Sequence, residues 1–174
     1  TAVTATSIVT LPSVRMISGS ISTATSSAKG PIGTPMASAI GPVEVTKLIV
    51  PGSELLIRNV GLNPTRAGLV HVLRQMGGDI TQVDPREVGG EPVADLLVRH
   101  SSLKGIEIDP AVVPSMVDEF PALFVAASLA EGTTVTTGLD ELRVKESDRI
   151  TAMAEALTAA GARVSETENG LTVE

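Results

Sequence analysis

The stretch Arg143-Val144-Lys145-Glu146-Ser147-Asp148-Arg149 packs three cations and two carboxylates into seven residues. An apolar helical pattern follows it, so it lies where a loop enters a helix. Ser147 or Asp148 can cap the first turn of that helix. Free N–H groups and the helix dipole favour an anion there, and Lys145 and Arg149 add full charges suited to a phosphate or a carboxylate. Glu146, beside Lys145, suits a general acid or base whose pKa is set by its neighbours. The same composition equally describes a solvated helix start laced with surface ion pairs. Upstream, Asp118 stands at another expected helix start. Read alone, it is a carboxylate well placed against a helix dipole.

The elements that must position these residues are legible from Val45 onward. Val45 to Val50 reads as a strand, Pro51-Gly52 as a turn and Ser53 to Val60 as the next strand. Leu69, Val72, Leu73 and Met76 form one helical stripe, introduced by Asn63-Pro64-Thr65 and stopped by Gly77-Gly78. A strand is expected over Asp79 to Val83, a loop over Pro85 to Pro92, and strands over Val93 to Arg99 and Gly105 to Asp109. A second helix is expected from Ser115 to Ala130, with Phe120, Leu123, Phe124 and Ala127 on one face. After a strand over Thr133 to Thr137, a third helix starts around Glu146 to Asp148 and ends at Gly161. Ala162 to Ser165 and Gly170 to Val173 read as closing strands. Asn63 and Arg66 fit capping and orienting roles, and His71 and His100 receive no role.

Two stretches repeat the same grammar of turn, strand, capped loop, helix, glycine stop and strand. They run from Pro51 to Ile80 and from Glu131 to Val164. Their starts lie 80 positions apart and their ends 84. The second copy therefore carries extra residues just ahead of its helix, around Asp140 to Asp148. Residues 1–44 differ. They form a Ser/Thr/Ala-rich arm with weak strand-like stretches at Ser7 to Leu11 and Ser13 to Ile17. Residues 45–174 form the folded part.

Composition restricts the rest. Apolar residues make up 43% of the chain, with two Phe and neither Trp nor Tyr, so the core must be aliphatic, which suits layered α/β packing. The chain has no cysteine and two histidines, which removes disulfides and multi-His metal sites. A net charge of −7 without a basic cluster argues against nucleic acid. No apolar run is long enough for a membrane span, and the start lacks the pattern of a secretory signal, so a cytoplasmic location is expected.

Leu142 to Ile150 matches the signature R-V-K-E-S/T-D-R of the 5-enolpyruvylshikimate-3-phosphate synthase family. Val60 to Gly68 resembles the family's N-P-T-R-x-G stretch. Ser115-Met-Val-Asp-Glu-Phe-Pro121 resembles its S-M-I-D-E-Y/F-P stretch, in the form of the glyphosate-tolerant class. The resemblance runs over residues 51–174. It implies an α/β fold of βαβαββ units, the inside-out α/β barrel, present here incompletely as roughly one and a half units. It also implies transfer of the enolpyruvyl group of phosphoenolpyruvate to the 5-hydroxyl of shikimate 3-phosphate, with no metal or organic cofactor.

Carried over position by position, the resemblance makes Glu146 the proton donor and acceptor. Asp118 holds the reacting hydroxyl and serves as its base. Lys145 lies against the nascent product, and Arg149 pairs with the phosphoenolpyruvate carboxylate. Departures are equally specific. Ser18-Gly-Ser-Ile-Ser22 has the rhythm of an N-terminal substrate motif without its Lys. Pro35-Met-Ala-Ser-Ala39 is followed by Ile40 where the family has Gln, which leaves Ser38 outside the site. The related UDP-N-acetylglucosamine transferases fit less well, because their reactive Cys or Asp loop has no counterpart. The expectation is therefore a transferase or a site-bearing fragment of one, with a complementing chain as one way of completing the cleft. The rival expectation is a catalytically silent protein that keeps the fold and binds a partner.

Overall fold

The computed structural model describes residues 22–25, 42–144 and 148–174. The strand-like stretches expected within residues 7–17 lie outside them. Elements follow in the order β1 (Ser22–Thr25), α1 (Pro42–Ile49), β2 (Glu54–Gly61), α2 (Gly68–Gln75), β3 (Asp79–Val88) and β4 (Glu91–Arg99). Two 3-10 segments, Pro110–Ser115 and Val117–Glu119, lead into α3 (Phe120–Ala127). β5 (Thr134–Thr136), α4 (Asp140–Arg143), α5 (Arg149–Ala159), β6 (Val164–Thr167) and β7 (Gly170–Val173) complete the chain.

The repeat read from the sequence is a repeat of topology. The first sheet has the order β1-β2-β4-β3, with β1 parallel to β2 and the other pairs antiparallel. The second has the order β5-β7-β6, again antiparallel. Residues 104–108 run beside it as β1 does in the first, through parallel bridges Lys104–Glu131 and Glu107–Val135. Counting that extended segment, the chain makes two βαβαββ passages, half a unit more than the sequence reading allotted. The expected strand over Gly105 to Asp109 survives only as these isolated bridges.

Three further expectations are corrected. Val45 to Val50 belongs to a helix, because Val45 and Leu48 are buried three residues apart while Thr46 and Lys47 are half-exposed, and α1 packs on α3. Tertiary packing there overrides the strand propensity of a Val-, Thr- and Ile-rich run. Pro85 to Pro92 is no loop but most of the β3–β4 hairpin. Gly89 and Gly90 both have positive φ, as a two-residue primed turn requires, and Pro85 falls in the register shift between Val83 and Arg86, where its missing N–H costs no rung. The helix expected from Ser115 is broken at Met116 (φ −154°) and becomes α only at Phe120, with Pro121 in the first turn, where an N–H is not needed. The short helix α4 was not anticipated.

The inner faces of both sheets (Leu55, Ile57, Leu96 and Val98; Leu171 and Val173) and the helices share one core. α3 lies at its centre, against α1, α2 and α5. Six of its eight residues are buried, as a helix apolar on nearly every side demands.

Two threonines of β5 show how polar groups are managed in this core. The Thr136 hydroxyl donates to Leu171 O at 2.7 Å and accepts from Leu171 N at 3.0 Å. The Thr134 hydroxyl is buried with no partner among the described residues. Opposite signs are therefore expected from one substitution. Thr134→Val should raise stability by about 1 kcal/mol, and Thr136→Val should lower it by about 1–3 kcal/mol by orphaning a strand N–H and carbonyl. Urea unfolding of the two variants checks this.

Candidate active site

The site is assembled at helix starts. Asp118 sits in the 3-10 segment Val117–Glu119, just ahead of α3, and Arg149 is the first residue of α5. Their side chains meet, Arg149 Nη1 lying 3.3 Å from Asp118 Oδ1 across 31 positions of sequence. The structure thus brings these two candidate residues together. Lys145 and Glu146, the other two predicted site residues, lie outside the described residues, as does Ser147.

Asp148, not Ser147, is the cap of α5. Its Oδ1 accepts from Ile150 N at 3.0 Å and Thr151 N at 3.1 Å. Its Oδ2 accepts from Arg143 Nη1 at 2.8 Å. Two of the first-turn N–H groups that could face an anion are thus taken by the protein's own carboxylate. The Thr151 N–H, with Arg143 second, holds the Asp148 carboxyl below the usual Asp value.

This capping has a pH consequence. A carboxylate with a depressed folded pKa contributes stability that is fully present above its unfolded value, about 3.9. That contribution disappears as pH falls through the lower, folded value. The start of α5 should therefore stay intact down to about pH 4 and loosen only below it. Asp148→Asn should remove this acid step while leaving neutral-pH helix content nearly unchanged. Carboxyl-carbon NMR titration with far-UV circular dichroism measures both.

Asp118 has an acidic neighbour, Glu119, whose carboxyl is pushed up by burial and further by the Asp118 charge. Gly68 begins α2 against the residues just ahead of Asp118. A Cβ at Gly68 would lie 2.2 Å from Ser115 Oγ and 3.0 Å from Met116 Cβ. The starts of α2 and α5 therefore both abut residues 115–118. Asn63 does not cap α2. Its Oδ1 accepts from Thr65 N at 3.1 Å and Thr65 Oγ1 at 2.9 Å, closing a turn ahead of the helix, and its Nδ2 donates to Glu91 Oε2 at 2.9 Å.

Paired βαβαββ units around one core, with an Arg–Asp pair at their helix starts, have the architecture expected of the enolpyruvyl transferases. The chain belongs to the EPSP synthase (3-phosphoshikimate 1-carboxyvinyltransferase) family, whose sequence model matches residues 38–174. It is 72% identical over 130 residues to the 3-phosphoshikimate 1-carboxyvinyltransferase of Sphingopyxis alaskensis, covering 75% of this chain and 29% of that protein. The Zymomonas mobilis relative is 61% identical over 130 residues, again 75% of this chain and 29% of the relative. A solved structure of EPSP synthase from Acinetobacter baumannii superposes with a TM-score of 0.73 at 48% identity, over 75% of this chain and 30% of that one. The chain thus spans about three tenths of the length of these relatives. No described helix is long and apolar enough to cross a membrane.

Proposed function

We propose that the chain carries part of the active site of an enolpyruvyl transferase that joins phosphoenolpyruvate to shikimate 3-phosphate. The observation that supports this most is the 3.3 Å approach of Arg149 to Asp118. One residue is suited to a carboxylate and the other to a hydroxyl, so the two substrates would be brought side by side. In the addition step the Glu146 carboxyl gives its proton to the methylene carbon of phosphoenolpyruvate. The 5-oxygen of shikimate 3-phosphate bonds to the adjacent carbon, and its proton passes to Asp118. In the elimination step Glu146 takes a proton back from the new methyl group and phosphate leaves. Arg149 holds the carboxylate through a planar fork, and Lys145 supplies positive charge against the intermediate.

The site-bearing part is residues 45–174, with β1 of the 1–44 arm as an edge strand. Its phosphorylated, water-soluble substrates fit a cytoplasmic enzyme, and the remainder of the cleft comes from sequence or a chain beyond these 174 residues. The isolated chain is expected to show no turnover. Losing one preorganised charge contact in such a site costs about 10²–10³ in rate, and a piece this small lacks several.

The test is a chimera in which the matching 130 residues of this chain replace those of the Sphingopyxis alaskensis relative. Phosphate release from phosphoenolpyruvate plus shikimate 3-phosphate is then measured. Turnover within about tenfold of that relative is expected, since folded cores tolerate extensive volume-conserving substitution. A folded chimera with none would favour the catalytically silent reading.

A further inference from the structure

Arg143 opens the charged motif, yet the proposed chemistry gives it no task. Its surroundings are densely bonded. Nη1 donates to Asp148 Oδ2 and Glu166 Oε1, both at 2.8 Å. Nε donates to Glu168 O, and Nη2 donates to Thr167 O. Glu166 Oε1 also accepts from Thr151 Oγ1 at 2.9 Å, returning the network to the first turn of α5. At the other end of α4, Leu139 N donates to Asn169 O at 2.8 Å. Both ends of α4 are thus fastened to the turn between β6 and β7, and one of those fastenings also grips the cap of α5.

We propose that Arg143 is a positioning residue for the candidate site: its guanidinium locks α4, the Asp148 cap and the β6–β7 turn into one corner, and so sets where α5 begins and where Arg149 meets Asp118. This rests on the transferase reading for its functional meaning but not for its geometry. The chemistry of the corner calls for Arg specifically. Every guanidinium nitrogen is used, on two backbone carbonyls and two carboxylates held apart, and only a rigid planar fork presents donors in those directions at once. A Lys ammonium keeps the charge but concentrates its donors at one point. Asp148 contributes through its two oxygens, one holding the helix N–H groups and the other holding Arg143. Displacement of the guanidinium therefore passes directly to the first turn of α5.

The experiment uses the 174-residue chain, labelled with nitrogen-15, and needs no substrate. Asp118→Asn is expected to move the Arg149 Nε–H signal in the otherwise unaltered chain. In the Arg143→Lys chain the same Asp118→Asn change is expected to leave that signal in place, because the pair is no longer held together. Amide exchange at Ile150 and Thr151 should quicken by about tenfold in Arg143→Lys, the effect of about one lost hydrogen bond. Exchange at Val72 and Leu73 of α2 should stay within about twofold, since those sites share no partner with Arg143. An equal response of Arg149 to Asp118→Asn in both backgrounds overturns the proposal. Uniform acceleration across both units also overturns it, since that marks general stabilisation. If Arg143→Lys does not fold, Glu166→Gln supplies the same readouts with the cap intact. It should give a smaller shift of Arg149 and faster exchange at Thr151, and no change in either would count against the proposal. Failure of the transferase reading would appear separately, as a chimera without turnover whose Arg149 signal still depends on Arg143.

Discussion

Replacing Glu146 by Gln in the full-length chimera is expected to lower kcat by about 10² or more while the unfolding midpoint stays in place. Gln matches Glu in size and can still accept and donate hydrogen bonds, but it has no proton to give to the methylene carbon and no carboxylate to take one back. Both half-reactions lose their proton carrier, so the loss belongs in kcat and not in KM. Arg149→Lys should do the reverse. Keeping the charge but losing the fork should raise KM for phosphoenolpyruvate with a smaller change in kcat, because a point charge replaces two parallel hydrogen bonds. Steady-state kinetics with each substrate varied in turn separates the two patterns. A Glu146→Gln chimera within about threefold of the unsubstituted enzyme would place the proton transfers on another group.

Phe120→Ala is expected to cost about 3–5 kcal/mol of stability. Phe120 is fully buried, and its ring lies 5.7 Å from that of Phe124, centroid to centroid. These are the chain's two aromatic residues, so no other large ring can move into the space. Their tilted contact contributes about 0.5–1.5 kcal/mol beyond burial. Small domains hold about 5–15 kcal/mol in total, so the variant should lose about a fifth of that or more. Because α3 touches α1, α2 and α5, the loss should appear in both units together. Urea unfolding followed at Ile57 in β2 and Leu171 in β7 tests this. Coincident shifts are expected. A shift at Leu171 alone would show that the two units unfold independently.

The sequence was most legible where local pattern and tertiary packing agree. The stripe Leu69, Val72, Leu73 and Met76 is buried throughout, and Gly77, at φ 93°, stops α2 as its position implied. α1 was misread because a β-branched run carries strand propensity regardless of what it packs against, and only α3 decides the matter. The β3–β4 hairpin was hidden by two prolines and two glycines, which signal a loop until the bulge and the primed turn that accommodate them are seen. At the site, residue types were informative and partners were not. Nothing in the spacing brings Asp118 to Arg149, or Arg143 to Glu166 23 positions away. Those meetings are produced by the crossing of α5 over the β6–β7 hairpin and by the break at Met116 that frees Asp118 from a continuous helix.

In each unit the strand that lies in the middle of the antiparallel trio is the last to appear in the chain: β4 stands between β2 and β3, and β7 between β5 and β6. On the ribosome, β5 and β6 must therefore wait without a ladder, the place between them empty, until Gly170–Val173 emerges, since every rung between named strands of that sheet involves β7. A stop codon only a few positions before residue 170 would leave two unpaired strand edges next to the apolar α3. Such edges are templates for intermolecular pairing. Nonsense mutations in this short window should therefore yield aggregates, and not merely a slightly shortened fold.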